Sequence, residues 1–436
     1  MAARVRPPAF LPGKLPVPAL LLTPAFLIFV SSNFVNAGNL LFNTLFSRWM
    51  GPALYSDLAL ILTLKLAILG VFAALQMAVS REVAQVDGDV RDRLKANLAR
   101  MNKVLFLALW LCLPFALVIS VGADLGATFG LSNTNLFIII LLSVPFVAPL
   151  SICRGVAFGE LCSWQIIVSA NAEMLVRLVG AIVVWHLGFG IEGVVVALSL
   201  SVVAGWLGVA RALPKPPAGV RQARQIVIGV ALGALPFAAL QIAQVLSLDG
   251  DIFLAKARLE AEQAGYLAAL SLFQRIQFFA CFALAGTLLA AVVAAAREGK
   301  GILAAAMPVV CLFLLVSVAV LSLAVLRGDL VVRVLVGPEF GGAVQGLTMA
   351  ACASIAFTAS YLLATLLSAL KDQRGIWAAL AVSILQLVWM AFATLGPDLS
   401  FLTLLEIKMW SQLGLAGLLL IMAVHTVLRQ AYQQGG

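Results

Sequence analysis

Apolar segments of about 20 residues follow one another along almost the whole chain, and this feature limits the possible folds more than any other. A helix that crosses a bilayer needs roughly 20 mostly apolar residues. Of the 436 residues, 63% are hydrophobic and only 11% are charged, whereas a soluble domain carries about a quarter charged residues. The sequence therefore predicts an all-α, polytopic membrane protein and excludes a water-soluble one.

Hydropathy, with Pro, Gly and charged residues as boundaries, predicts twelve spans. They lie near 19–45, 57–80, 102–123, 134–153, 163–187, 191–210, 226–248, 263–295, 302–326, 345–370, 376–396 and 402–428. A cytoplasmic N-terminus puts 19 of the 28 lysines and arginines on the cytoplasmic side, Arg154 among them, and only five outside, including Lys256. This asymmetry follows the positive-inside rule, so both termini are predicted to be cytoplasmic. The basic N-terminus is interpreted as the start of a retained helix and not as a signal peptide.

An internal repeat divides the chain into two halves. Segment 39–65 resembles segment 251–275: in each, a helix ends, a short charged turn leads to Tyr55 or Tyr266, and a cation follows ten or nine residues later. Basic, proline-rich residues 214–225 are predicted to be a cytoplasmic linker between an N-terminal lobe, 1–213, and a C-terminal lobe, 226–436. Because each half has six spans, we expect a pseudo-two-fold axis along the membrane normal and a central cavity, as in transporters.

Ionisable residues inside predicted spans are candidates for function, because burial of a charge in the bilayer costs roughly 2.5–3.5 kcal/mol on insertion scales. Lys65, Arg177 and Arg275 all fall in the middle or outer part of their spans. Glu173 precedes Arg177 by one helical turn, so the two are expected to pair. This pair is either structural or includes a carboxylate that couples transport to an ion. Three cations against one acid favour an anionic cargo group, such as pyrophosphate.

Span 1 carries a stripe of asparagines. At roughly 100° per residue, four of them share an arc of about 120°; they are Asn33, Asn36, Asn39 and Asn43. One interpretation is hydrogen bonding between helices, and the other is a cavity wall that binds hydroxyl groups. Arg48, at the outer end of the same span, is included as a weaker candidate. Lys408 in span 12 is expected to extend to the membrane interface.

Other chemistry finds little support in the sequence. The six cysteines lack CxxC spacing and the two histidines are far apart, so we predict no metal site, no disulfide and no cofactor. The DGD triplets at 87–89 and 249–251 are interpreted as solvated loops. No Walker motif or nucleophile elbow is present, and the protein is not predicted to be an enzyme. The net charge of +9 is attributed to topology and anionic membrane lipids, not to nucleic acid.

Three segments carry a family resemblance: GNLLFNTLFSRWMGPALYSDLALI, LQMAVSREVAQ and DIFLAKARLEAEQAGYLAALSLFQRIQFF. They resemble the polysaccharide flippases of the multidrug/oligosaccharidyl-lipid/polysaccharide exporter (MOP) superfamily. The resemblance implies two six-helix bundles that move an undecaprenyl-pyrophosphate-linked oligosaccharide across the bacterial inner membrane by alternating access. Drug exporters of the superfamily usually carry acidic residues in the first lobe, where this chain has asparagines. The related lipid II flippases have further C-terminal spans.

These observations lead to one main hypothesis and two alternatives. The main hypothesis is a flippase for an O-antigen, capsule or exopolysaccharide repeat unit. The cations would bind pyrophosphate, the asparagines would contact sugars, and a polymerase or glycosyltransferases would be partners. The first alternative is a cation-coupled multidrug exporter that uses Glu173. The second is a non-transporting enzyme or scaffold of envelope assembly, for which the sequence offers only a short outer loop at about 327–344.

Overall fold

The protein is a bundle of long α-helices. The structure, a computed structural model, describes residues 24–214, 224–298, 301–370, 372–397 and 399–435, and no strand occurs in these ranges. The helices are α1 (Pro24–Ala84), α2 (Gly88–Gly122), α3 (Leu125–Thr128), α4 (Asn135–Leu141), α5 (Val144–Gly159), α6 (Ser163–His186), α7 (Gly190–Val209), α8 (Arg224–Arg258), α9 (Ala261–Glu298), α10 (Ile302–Leu326), α11 (Gly328–Leu335), α12 (Val344–Ala369), α13 (Arg374–Ala393) and α14 (Phe401–Gly435). Short 3₁₀ helices lie at Ala210–Ala212 and Pro338–Ala343.

The described helices include ten that are long and apolar enough to cross a membrane. The first of them, Val30–Ala84, contains a kink and covers two of the predicted spans. Helix α9 lies on predicted span 8, although it is not one of the ten. The all-α membrane fold is therefore confirmed, while the count of twelve spans and the side on which the termini lie stay predictions. The predicted linker falls mostly on residues 215–223, which lie outside the described residues.

Helix α1 is a hairpin of two arms, 24–50 and 52–84. Gly51 has φ 67° and ψ 174°, a conformation open to glycine, and Pro52 follows it. The hydroxyl of Tyr55 donates to Oδ1 of Asn43 at 3.1 Å. Twelve residues in a straight helix would separate the two residues by about 18 Å. The second arm therefore folds back along the first and carries Lys65 to the level of the asparagine stripe.

Two lobes pack side by side. We call α1–α7 lobe 1 and α8–α14 lobe 2. In lobe 1 the α1 hairpin packs on α5 and α6, and in lobe 2 the hairpin of α8 and α9 packs on α12 and α13. These matching hairpins contain the two halves of the predicted repeat. The lobes meet through α1 against α8 and α9, so the repeat segments form the centre of the molecule.

The lobes are in close contact at the end of the bundle that holds Gly51, which we call the Gly51 end. The ammonium of Lys256 on α8 lies 2.6 Å from the carboxylate of Asp57 on α1, and both side chains are buried. The prediction that Lys256 lies in an outer loop is wrong, because helix α8 continues through it to Arg258. Nearby, Gly265 on α9 packs directly against the backbone of Pro52. The positive-inside rule predicts that this end faces away from the cytoplasm.

Candidate functional site

A cavity of about 280 Å³ lies between the lobes. Both arms of α1 line it, together with residues of α6 and α9. Seven of the eight predicted cargo-binding residues lie on its wall: Asn33, Asn36, Asn39, Asn43, Lys65, Arg177 and Arg275. All eight remaining residues of the wall are aliphatic or aromatic: Leu40, Leu62, Leu66, Leu69, Leu272, Ile276, Phe279 and Ala280. The fold thus brings one asparagine stripe and three cations from distant parts of the chain into one space.

Exposure along the cavity wall increases away from the Gly51 end. On the α1 hairpin, Leu62 is buried, whereas Asn33 and Asn36 are exposed. On α9, Leu272 is buried, whereas Phe279, two turns further from the Gly51 end, is exposed. The cavity is therefore closed where the lobes touch and accessible from the opposite half of the molecule.

Lys65 contributes charge to this cavity but has no donor to spare. Its ammonium contacts the hydroxyl of Ser201 at 2.9 Å, the carbonyl of Leu198 at 3.3 Å and the Glu173 carboxylate at 3.4 Å. An ammonium has three N–H donors, so all of them are directed to lobe 1. The Lys65 side chain, only 4% exposed, therefore contributes positive charge to the cavity without a free N–H donor.

Glu173 does not have the predicted partner. Among the described residues its carboxylate pairs with Arg154 at 2.9 Å and with Lys65 at 3.4 Å, and not with Arg177. Arg154 itself was predicted to lie in a cytoplasmic loop, and that prediction is wrong: helix α5 continues to Gly159, and the Arg154 side chain is only 17% exposed. Tertiary contacts between α5, α6 and α1 determine the pairing, and the spacing along α6 does not.

Arg177 is the cation with the most free hydrogen-bonding capacity on the cavity wall. Its Nε is buried and has no hydrogen-bond partner among the described residues. The guanidinium carbon lies 6.0 Å from the ring centre of Phe42, at the outer limit of a cation–π contact. A buried guanidinium with an unsatisfied donor favours an anion as its partner.

Arg275 approaches the cavity from lobe 2 and is held from both sides. Its Nε donates to Asp249 at 2.7 Å within lobe 2, and its Nη2 donates to the hydroxyl of Thr63 in lobe 1 at 3.0 Å. A guanidinium has five N–H donors, so Arg275 has others that are not used in these two bonds. Together with Lys65, it gives the cavity one cation from each copy of the repeat, as the spacing predicted.

The second DGD triplet is not a solvated loop, and that prediction is wrong. Asp249 and Asp251 lie inside α8 and are 3% and 0% exposed. The carboxylate of Asp251 pairs with Lys408 of α14 at 2.9 Å. The prediction that Lys408 extends to the interface is also wrong, because its side chain is only 1% exposed and its ammonium donates to the Leu248 carbonyl as well.

Charges around the cavity sum to a positive excess. Four cations, Lys65, Arg154, Arg177 and Arg275, are set against the carboxylates of Glu173 and Asp249. The excess of two positive charges equals the value expected from the sequence, although two of the six residues were assigned elsewhere. A cavity with this field attracts anions and repels cations.

Arg48 is the one predicted cargo-binding residue that does not line the cavity. Its side chain is at the Gly51 end, where Nη2 donates to the carbonyls of Val334 at 2.6 Å and Arg333 at 3.3 Å. These carbonyls belong to the last turn of α11, in the other lobe. Arg48 therefore contributes to contact between the lobes and not to the cavity.

The asparagine stripe forms a polar wall opposite α9. Asn43 accepts from Tyr55 and donates to the carbonyl of Asn39 at 2.8 Å. The side-chain oxygen of Asn39 is buried and has no hydrogen-bond partner among the described residues. Such an oxygen accepts a hydrogen bond from a hydroxyl group, which is the donor that sugars offer.

The described residues contain no group of three or more histidine, cysteine or acidic residues suited to a metal ion. All six cysteines are free thiols.

No protein-family model matches the sequence, and no curated protein matches it. Solved structures do resemble it. An inward-facing multidrug resistance MATE family transporter of the MOP superfamily superposes with a TM-score of 0.76 at 14% identity, over 91% of this chain and 95% of that one. The lipid II flippase MurJ, in an inward closed conformation, gives 0.73 at 13% identity, over 94% of this chain and 90% of that one.

An outward-facing MATE family transporter superposes with a lower TM-score of 0.64, at 12% identity, over 93% of this chain and 94% of that one. Of the two proteins with the higher TM-scores, the first is a transporter and the second is a flippase. The chain therefore has the same two-lobed, all-α fold as these solved structures.

Proposed function

We propose that the protein is a flippase that moves a polyprenyl-pyrophosphate-linked oligosaccharide across the bacterial inner membrane by alternating access. The observation that carries the proposal is the cavity between the lobes, in which a cationic zone lies beside a stripe of amides. The shared fold with a MATE family transporter and with the lipid II flippase MurJ supports transport as the activity. The charges and amides of the cavity wall support the cargo class.

The pyrophosphate would bind first to Arg177, because this side chain has a buried donor without a partner. The free donors of Arg275 would reach the same anion from lobe 2, and Lys65 would add positive charge behind it. Charge-assisted hydrogen bonds of this type contribute about 1.5–3 kcal/mol each. The sugars would lie along the asparagine stripe, and the lipid chain would stay in the bilayer.

The polymer that the cargo builds is part of the proposal: an O-antigen, capsule or exopolysaccharide repeat unit. Glycosyltransferases would supply such a cargo on the cytoplasmic side, and a polymerase would consume it on the other side. The amide stripe sets no particular sugar, since amides bind hydroxyl groups of any arrangement.

The test is transport in liposomes that contain the purified protein and a fluorescent polyprenyl-pyrophosphate oligosaccharide. We expect the wild type to expose the probe to an enzyme added outside. Arg177→Gln should lower the rate by about 10- to 100-fold, the equivalent of one lost charge-assisted hydrogen bond. Arg258→Gln is the matched control, because Arg258 is exposed at the end of α8 and outside the cavity.

The alternative is a cation-coupled exporter of drugs, and the likeness to a multidrug resistance transporter favours keeping it. It predicts proton-dependent efflux of a cationic dye by the same liposomes and loss of that efflux in Glu173→Gln. Dye efflux without movement of the pyrophosphate lipid would overturn the flippase proposal. The positive excess in the cavity opposes this outcome.

A further inference from the structure

Arg154 lies behind the cavity and not on its wall. Its Nε donates to the hydroxyl of Ser169 at 2.8 Å, and its Nη2 donates to Oε2 of Glu173 at 2.9 Å. The Ser169 hydroxyl in turn donates to the carbonyl of Gly205 at 2.6 Å. The guanidinium is thus fixed to α6 and, through Ser169, to α7.

The Glu173 carboxylate has cations on two sides: Arg177 on its own helix, and Arg154 and Lys65 on other helices. In an isolated helix, a glutamate pairs with an arginine four residues later, and here that residue is Arg177. The structure instead directs Oε2 to Arg154 and Oε1 to Lys65. Arg177 remains on the cavity wall with a donor that has no partner among the described residues.

We propose that Arg154 is a positioning residue for cargo recognition: it holds the Glu173 carboxylate away from Arg177 and so keeps Arg177 available to an anion. The inference rests on the proposed function, in which the cargo anion binds Arg177. Without Arg154, the carboxylate would lose its closest partner and turn toward the next cation on its own helix. Arg177 would then be neutralised by the protein and would no longer discriminate in favour of an anionic cargo.

The experiment measures binding of geranylgeranyl pyrophosphate to the full chain in nanodiscs, with geranylgeraniol as the uncharged comparison. Arg154→Met should weaken pyrophosphate binding by about 10-fold or more, since one charge-assisted interaction is lost. Binding of the alcohol should stay within about twofold. Arg154→Lys keeps a cation beside Glu173 and should bind nearly as the wild type does.

The double variant Arg154→Met/Glu173→Gln distinguishes positioning from simple support of the fold. A neutral glutamine cannot neutralise Arg177, so pyrophosphate affinity should return to within about threefold of the wild type. A double variant as weak as Arg154→Met would overturn the inference, as would an Arg154→Met protein with wild-type affinity.

Glu173→Gln alone gives a second, independent measurement if Arg154→Met does not fold. It removes the negative charge and should bind pyrophosphate at least as tightly as the wild type, whereas weaker binding would overturn the inference. Failure of the wild type to prefer pyrophosphate over the alcohol is a different result. That outcome would refute the proposed function itself, independently of the result for Arg154.

Discussion

Lys256 and Asp57 form a buried ion pair across the two lobes, with 2.6 Å between the ammonium nitrogen and the nearer carboxylate oxygen. The ammonium also donates to the hydroxyl of Ser56 at 3.0 Å, and the second carboxylate oxygen accepts from the backbone N–H of Ser132 at 3.1 Å. The ammonium thus has these partners only while the lobes touch at the Gly51 end, whereas Asp57 would keep only the Ser132 N–H of its own lobe if they separated. The pair is a local determinant of which end of the protein is closed.

Loss of one member of this pair should shift the protein toward separated lobes. In Lys256→Met, Asp57 would be buried without its cation, which costs about 3–5 kcal/mol, and separation would return it to water. The measurement is the distance between spin labels at Ala53 and Val334, which are exposed at the Gly51 end of the two lobes. We expect a longer distance population in the variant.

The charge-reversed variant Asp57→Lys/Lys256→Asp is the control for that experiment. It restores an ion pair and should recover a large part of the short-distance population. If the single variant leaves the distance distribution unchanged, the pair does not hold the lobes together.

Gly265 should tolerate no side chain while the lobes are in contact. A Cβ atom at this position would overlap the carbonyl group of Pro52, and both are backbone positions that cannot rotate away. Gly265→Ala is therefore expected to open the Gly51 end in the same distance measurement. Gly414→Ala in α14 is the matched control, because a Cβ there meets nothing within 4 Å. Equal distances in the two alanine variants would contradict this expectation.

The Asp251–Lys408 pair should stabilise lobe 2 itself. Lys408→Met would leave the fully buried Asp251 without its cation, so we expect the free energy of unfolding to fall by about 3–5 kcal/mol. Thermal melting in detergent is the measurement. Asp251→Leu/Lys408→Met removes both charges and should melt well above the single variant. A Lys408→Met protein with wild-type stability would show that the pair contributes little.

Arg48 should be dispensable for cargo binding, in contrast to Arg177. Its side chain is exposed and lies outside the cavity, so Arg48→Gln should bind geranylgeranyl pyrophosphate within about twofold of the wild type. Its bonds to the carbonyls of α11 contribute about 1 kcal/mol or less each to closure. A loss of affinity as large as in Arg177→Gln would place an anion site at the Gly51 end.

Sequence patterns predicted the fold and most of the residues of the cavity wall. Both predictions depend on the free energy that each polar or charged residue costs when it is placed in a membrane. An asparagine stripe and a charge inside an apolar span need a polar surrounding, and the fold provides one cavity for Lys65, Arg177 and Arg275. The repeat predicted that Lys65 and Arg275 come from equivalent positions, which the two hairpins explain.

The sequence could not predict which charged side chains pair with each other. The spacing rule paired Glu173 with Arg177, but Arg154, on another helix, lies closer to the carboxylate. Residues 249–251 were interpreted as a loop, although the apolar residues on both sides continue the helix and provided a signal against it. Lys408 and Asp251 are separated by 157 residues, and no local pattern predicts such a contact.

The hairpin at Gly51 joins the two arms of α1 through a single residue. The asparagine stripe and Lys65 therefore keep a fixed relation to each other, and Arg177 packs beside them in the same lobe. Of the predicted residues in the cavity, Arg275 alone belongs to lobe 2. In the proposed transport cycle, a cargo bound here would stay attached to lobe 1. Movement of lobe 2 away from lobe 1 would remove Arg275 from the anion and so weaken its binding.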